Sequence, residues 1–210
     1  NVISAGLGED ASFDIELVNT FGSKVNIFDP TPKAIKHINE IKSNLGIKKK
    51  LQYSDHGKQN IKSYDLANLI FDKNIFFHKY ALSSKNSDKY LMYLPSKPHY
   101  SSYSHYKNIT KNSNFIEVKS ISLDTFLKKN NIKNIDLIKL DIEGEELSVL
   151  GDILKLGINP KQICVEFDSL KHFNIFNYLK FTYLIYQLNL SNYIVIFKNF
   201  SSLTFTFKKN

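Results

Sequence analysis

Short apolar runs alternate with amphipathic stretches along almost all of this chain, and no other feature of the sequence constrains its fold so strongly. Apolar runs predict strands at 2–5, 25–28, 75–82, 115–121, 135–140 and 163–167. Apolar residues at helical spacing predict helices at 13–21, 34–45, 122–129, 146–156 and 174–190. Strands that alternate with helices are typical of a parallel sheet with helices on both faces. The sequence therefore predicts an α/β fold with a doubly wound, mostly parallel sheet.

Three further stretches complete this outline. A weaker apolar pattern predicts a helix at 61–71, and runs at 193–197 and 203–207 predict an antiparallel C-terminal hairpin. Residues 84–114 are rich in Ser, Lys, Asn and Tyr, which predicts a loop with one strand at 90–94. We expect one domain over 1–210, excised from a longer chain because Asn1 is not an initiator Met.

Composition narrows the classes of protein that fit. Cys164 is the one cysteine, so no intrachain disulfide forms, and we expect a reducing, cytoplasmic location. No apolar run reaches the roughly 20 residues of a membrane span. The net charge is +8, but all 28 basic residues are Lys and they are scattered, so we expect no nucleic-acid surface. The sequence does not indicate an oligomeric state.

A glycine turn follows the first strand and indicates a cofactor site. The segment Gly6-Leu7-Gly8-Glu9-Asp10-Ala11 has the G-x-G-x-x-A spacing, in which missing side chains let a cofactor approach the backbone. Asp29 ends the second strand, where a carboxylate can accept bonds from the hydroxyls of an adenosine ribose. Glu9 and Asp10 would repel a pyrophosphate at the helix start but suit a cationic cofactor. This charge argument favours S-adenosylmethionine over a nicotinamide dinucleotide.

Five blocks of the sequence resemble the FkbM-type methyltransferases, in the same order along the chain. They are residues 4–14 (SAGLGEDASFD), 28–32 (FDPTP), 80–83 (YALS), 122–125 (SLDT) and 136–146 (DLIKLDIEGEE). The resemblance implies the class I, Rossmann-like methyltransferase fold and the transfer of a methyl group to oxygen. The acceptor it implies is a small molecule or a glycan, methylated on a hydroxyl.

The resemblance also implies roles for individual residues. Gly6 and Gly8 would cradle the methionine part of S-adenosylmethionine, Asp29 would hold the ribose, and Tyr80 and Ala81 would border the adenine. Ser4, Leu7 and Pro30 complete the implied cofactor-binding set. Family members commonly carry an acidic residue at the position of Ser4, so the usual carboxylate near the cofactor's amino group is absent.

Two carboxylates follow the strand at 135–140 and are the candidate catalytic residues. We expect Asp141 to lie nearest the acceptor, as base or orienter, with Glu143 as its partner or a substrate contact. Glu145 and Glu146 are interpreted as acids that complement the helix dipole. Glu166, at the end of the strand at 163–167, is a second-rank candidate.

The other reactive residue types give weaker signals. The histidines show no ligand spacing, so no metal site is assigned, and Cys164 is expected to be structural because it lies in an apolar strand. Five tyrosines between 90 and 106 make the loop at 84–114 a candidate acceptor-binding element. Two alternatives stay open: an NAD(P)-dependent oxidoreductase and a non-catalytic α/β binding module.

Overall fold

A mostly parallel sheet organises the molecule. The computed structural model describes residues 1–55, 57–97, 100–171 and 174–210, without the side chains of residues 108 and 109. The strands are β1 (Val2–Ala5), β2 (Val25–Phe28), β3 (Ile75–His78), β4 (Ala81–Ser83), β5 (Ser87–Tyr93), β6 (Phe115–Ser122), β7 (Leu137–Leu140), β8 (Gln162–Glu166), β9 (Tyr193–Asn199) and β10 (Thr204–Lys209). The helices are α1 (Ser12–Phe21), α2 (Pro32–Lys42), α3 (Lys107–Thr110), α4 (Leu123–Lys129), α5 (Glu146–Lys155) and α6 (Ile175–Leu190).

Seven strands form the main sheet in the order β3-β2-β1-β7-β8-β10-β9. The first five are parallel, and the hairpin of β9 and β10 joins them in the antiparallel sense. A second, three-stranded sheet has the order β4-β6-β5. The prediction of a mostly parallel α/β fold with a C-terminal antiparallel hairpin is confirmed.

The buried residues form two clusters that share the strands. Neighbouring residues of β1 point to opposite faces, so Val2 packs with α1 and α2, whereas Ile3 packs with α4, α5 and α6. Helix α2 begins as the sequence predicts, because Thr31 caps it and Pro32 occupies its first turn. It ends at Lys42, before the predicted 45.

Two predicted elements are wrong. The helix expected at 61–71 is reduced to a 3-10 turn at Ile61–Ser63. Local hydrogen bonds compete with a helix there, because Asp65 accepts from the Ala67 amide and the Asn74 side chain bonds to Asn68 and Ile70. The strand expected at 75–82 breaks after β3, where the Tyr80 amide donates to the His78 carbonyl at 2.8 Å. The chain then leaves the main sheet and enters β4.

Candidate active site

One cavity of about 390 Å³ lies at the carboxyl ends of β1, β2 and β7. Ligands of open α/β sheets bind at this edge, outside the ends of the parallel strands. Its floor includes Gly6, Leu7 and Gly8 after β1, Asp29 and Pro30 after β2, and Asp141 and Glu143 after β7. The structure therefore brings together the residues that the sequence analysis selected from three separate strand ends.

The glycine turn depends on Gly6 because two strand ends meet there. Gly6 has a φ of 86°, and a Cβ at this position would lie 1.7 Å from the carbonyl oxygen of Asp141. The Asp141 amide donates to the Ala5 carbonyl at 3.0 Å, which fixes the ends of β1 and β7 side by side. No larger residue fits at Gly6 unless the β7 end moves.

Asp29 is an anchor for the glycine turn. Its Oδ2 accepts from the amides of Leu7 (3.0 Å) and Gly8 (2.9 Å), and its Oδ1 accepts from the amide (2.9 Å) and hydroxyl (2.6 Å) of Thr31. A carboxylate offers about four acceptor positions, and four protein donors occupy them. Burial raises the pKa of Asp29, and these hydrogen bonds oppose the rise. The position predicted for ribose binding is thus already hydrogen-bonded within the protein.

A partly buried ammonium group lies beneath the glycine turn. Lys139 Nζ donates to the Gly6 carbonyl at 2.6 Å and to Asp141 Oδ2 at 3.2 Å. Burial would lower the pKa of Lys139, but the carboxylates of Asp141, Asp14 and Asp29 together raise it. Lys139 therefore stays charged and holds Asp141 against the turn.

Glu143 occupies a tight left-handed turn at the end of β7. Its φ is 48°, which is uncommon for a residue with a side chain, and Gly144 follows at a φ of 114°. The side chain lines the cavity. Burial raises the pKa of Glu143, hydrogen bonding from Ser102 opposes the rise, and the nearby Asp141 carboxylate adds to it. Such a carboxyl holds a proton more readily than an exposed one.

Glu145 and Glu146 stand at the start of α5 as predicted, but both are buried. Glu145 accepts from the hydroxyls of Ser83 (3.0 Å) and Tyr106 (3.1 Å) and also lines the cavity. Glu146 accepts from the Gly144 amide at 2.5 Å, and burial raises its pKa to about 8. The sequence did not show these contacts, because Ser83 and Tyr106 lie 62 and 39 residues away along the chain.

Residues 100–106, here called the roof segment, cover the cavity. Lys33 Nζ donates to the Tyr100 carbonyl at 2.6 Å, and Ser104 pairs with Tyr93 of β5. The Ser104 hydroxyl also donates to the Glu143 carbonyl. A ring of His105 stacks on Tyr90 with centroids 4.3 Å apart. The candidate acceptor-binding loop thus contacts Glu143, one of the two candidate catalytic residues.

Two predicted cofactor-binding residues do not line the cavity. Ser4 is fully buried in β1, where its side chain faces Asp14 of α1 beneath the turn. Tyr80 is half-exposed at the break between β3 and β4, whereas its neighbour Ala81 does line the cavity. The candidate acceptor-binding loop contributes further lining residues, among them Met92, Ser101, Ser102 and Tyr103. Asp55, Leu82 and Ile142 also line the cavity and were not selected from the sequence, because the fold alone brings them there.

The remaining reactive groups lie outside the cavity. Glu166 pairs with Lys171 at 2.8 Å. The Cys164 thiol accepts from the Thr206 hydroxyl, and burial raises its pKa, as expected of a structural cysteine. The described residues contain no group of three or more side chains suited to a metal ion. His56, His99 and His172 lie outside the described residues.

The charge of the cavity is opposite to that of the chain. Seven carboxylates line it, from Glu9, Asp10, Asp29, Asp55, Asp141, Glu143 and Glu145. None of the lysines is among its described lining residues, although the chain carries a net charge of +8. Lys33 and Lys58 approach Glu9 at its rim, at 3.8 and 4.0 Å. The lining therefore suits a ligand that carries positive charge.

An α/β fold with a glycine turn and a cavity at the strand ends is typical of proteins that bind a ligand outside the carboxyl ends of parallel strands. The family model described as the methyltransferase FkbM domain matches residues 8–188, so this chain belongs to that methyltransferase family. No curated protein and no solved structure matches it significantly. Among the described residues, no helix is both long and apolar enough to cross a membrane.

Proposed function

We propose that the protein is an S-adenosylmethionine-dependent O-methyltransferase that methylates a hydroxyl of a glycan or another hydroxylated metabolite. In this proposal residues 1–210 form one doubly wound, Rossmann-like domain. The observation that carries it is the cavity lining of seven carboxylates without a lysine among the described residues. The free Cys164 supports a cytoplasmic location.

The charge of the cavity lining and the open backbone of the glycine turn support this cofactor. S-adenosylmethionine carries a sulfonium and an ammonium group, which the carboxylates would stabilise. Gly6 and Gly8 would leave its methionine part room against the backbone, and Pro30 and Ala81 would border the nucleoside. Asp29 acts on the cofactor by holding the Leu7 and Gly8 amides, since its acceptor positions are filled.

The cofactor, when bound, supplies a methyl carbon that the sulfonium has already activated for displacement. The chain must then align one hydroxyl and remove its proton. Asp141 is the orienting carboxylate, because Lys139 and the β1–β7 backbone contact hold it in place. Glu143 is the proton acceptor, because its buried surroundings favour proton uptake.

The roof segment and β5 contribute the acceptor side of the cavity. Tyr90, Tyr103 and His105 present aromatic faces there, and Ser101 and Ser102 present hydroxyls. Aromatic faces with nearby polar groups suit a sugar ring. The acidic lining disfavours a phosphorylated acceptor, so an uncharged one is expected.

Methyl transfer from labelled S-adenosylmethionine to a panel of neutral glycans tests the proposal. We expect Glu143→Gln to lower kcat at least a hundredfold and to remove the rise of rate with pH. Asp88→Asn is the matched control, because Asp88 is an exposed carboxylate of β5 paired with Lys119. Equal rates for the wild type and Glu143→Gln would overturn the assigned base.

The same assay addresses the two alternatives. A nicotinamide dinucleotide would bring its pyrophosphate against the cavity carboxylates, which costs Coulomb energy. A binding module would hold the cofactor without turnover in the wild type, so Asp141→Asn would have no turnover to remove. Loss of turnover in Asp141→Asn with nearly unchanged cofactor affinity supports the enzyme.

A further inference from the structure

The outer surface of α6 and the edge strand β9 expose an unusual amount of apolar area. More than half of the exposed large hydrophobic residues among the described residues lie between 175 and 200. Five of them repeat on α6 at spacings of three and four residues: Phe176, Leu179, Tyr183, Tyr186 and Leu190. We call this row the α6 stripe. The opposite face of α6 is buried, because Leu184 and Leu188 pack into the core.

Strand β9 continues this surface at the sheet edge. It pairs with β10 on one side, and the sheet order ends there. Its residues Ile194, Val195, Ile196 and Phe197 are all exposed. Edge strands are commonly protected by Lys or Pro; β9 has one such residue, Lys198, which follows the apolar run 194–197. The α6 stripe and β9 together are called the α6–β9 face.

We propose that the α6–β9 face binds a second copy of this chain and forms a twofold dimer. Alternating three- and four-residue spacing is the pattern by which one helix packs along another. The same stripe on a second copy is apolar and of equal length, as a twofold contact requires. The free edge of β9 can pair antiparallel with β9 of that copy.

The area of the face matches what a stable dimer buries. An aromatic side chain buries roughly 150–250 Å² and an aliphatic one somewhat less, and the nine residues of this face, five on α6 and four on β9, are 44–77% exposed. Successive β9 side chains alternate between the two sides of the sheet, so the α6 stripe and two of the β9 residues offer roughly 800 Å², against about 800 Å² per partner in a standard interface. The face is therefore large enough for an interface.

A lipid surface fits this face less well. The unpaired amides and carbonyls of β9 would lack partners in hydrocarbon. Interfacial helices carry Lys or Arg beside their apolar stripe, whereas the one charged residue of α6, Lys180, turns to Ser148 of α5. A second polypeptide can bury the apolar side chains and also form hydrogen bonds with the free edge of β9.

Sedimentation velocity of the wild type at micromolar concentration tests the dimer. We expect twice the mass of one chain, and we expect Leu179→Glu and Phe197→Glu each to raise the dimer dissociation constant at least tenfold. Phe21→Glu is the control, because Phe21 is 73% exposed on α1, away from this face. Circular dichroism checks that the variants fold, as their exposed positions predict.

Three results would overturn the proposal. One is a wild-type monomer, including a monomer that co-sediments with phosphatidylcholine–phosphatidylglycerol vesicles. Another is a dimer that neither variant weakens. The third is rapid hydrogen exchange of the β9 amides in the dimer, since paired amides exchange slowly.

Discussion

The cavity has two acidic edges, and their carboxylates are used differently. After β2, Asp29 accepts four hydrogen bonds from the glycine turn and Thr31. After β7, Asp141 faces a lysine, and Glu143 lines the open cavity. Both edges occupy the ligand-binding side of the sheet. The difference separates a carboxylate whose acceptor positions are filled by protein donors from two carboxylates that remain accessible to a ligand.

The largest expected effect is on stability, and it comes from Gly6, where the glycine turn held by Asp29 meets the end of β7. Gly6→Ala should cost on the order of 4 kcal/mol of unfolding free energy, because it combines left-handed backbone strain with a clash at the Asp141 carbonyl. Denaturant unfolding measures it. Gly157→Ala is the control, with a φ of 65° and no atom within 4 Å of the added Cβ; it should cost only about 1 kcal/mol. An equal loss of unfolding free energy in both variants would show that the ends of β1 and β7 can move apart without cost.

A matched pair of substitutions compares the two edges directly. Asp29→Asn should lower stability by about 3 kcal/mol, because an amide cannot accept from every donor that Asp29 satisfies. Asp141→Asn should cost less than about 1 kcal/mol, because Asp141 is partly exposed. Urea unfolding of both proteins checks the contrast, and a larger loss for Asp141→Asn would reverse the roles given to the edges.

Glu146 adds a pH dependence beside the β7 edge. Its pKa is about 8 in the folded protein, above that of an unfolded glutamate. The folded state therefore favours the protonated form, and this stabilisation is present at pH 4 and is lost as pH rises toward 8. Between pH 5 and pH 8 the unfolding free energy of Glu146→Gln should rise relative to that of the wild type by on the order of 2 kcal/mol. Urea unfolding of both proteins at several pH values measures this difference. The same change in unfolding free energy with pH in both proteins would contradict it.

The smallest effect concerns the contact between the roof segment and α5. Tyr106→Phe removes the donor to Glu145 and should cost about 1 kcal/mol. Thermal unfolding compares it with Tyr178→Phe, at an exposed position of α6, which should change stability little. Equal thermal stability of the two variants would show that the contact between the roof segment and α5 does not contribute to stability.

The sequence predicted features that depend on local signals. Strand β2, the cap at Thr31 and the glycine turn follow from residue type and spacing, and the structure places them as expected. That protein donors fill the acceptor positions of Asp29 was not predictable. In the sequence, a carboxylate at a strand end is the same whether its hydrogen-bond partners are backbone amides or a ligand. The burial of Glu145 also escaped prediction, because its partners come from β4 and the roof segment.

Calorimetric titration with S-adenosylhomocysteine, beside NAD and NADP under the same conditions, tests the central claim most directly. The claim is that the acidic cavity selects the adenosylmethionine cofactor. S-adenosylhomocysteine keeps the ammonium group of the cofactor and lacks the pyrophosphate of NAD and NADP, so the account predicts that it alone binds. Asp29→Asn should weaken this binding because it loosens the glycine turn. Selective binding of NAD or NADP would contradict it.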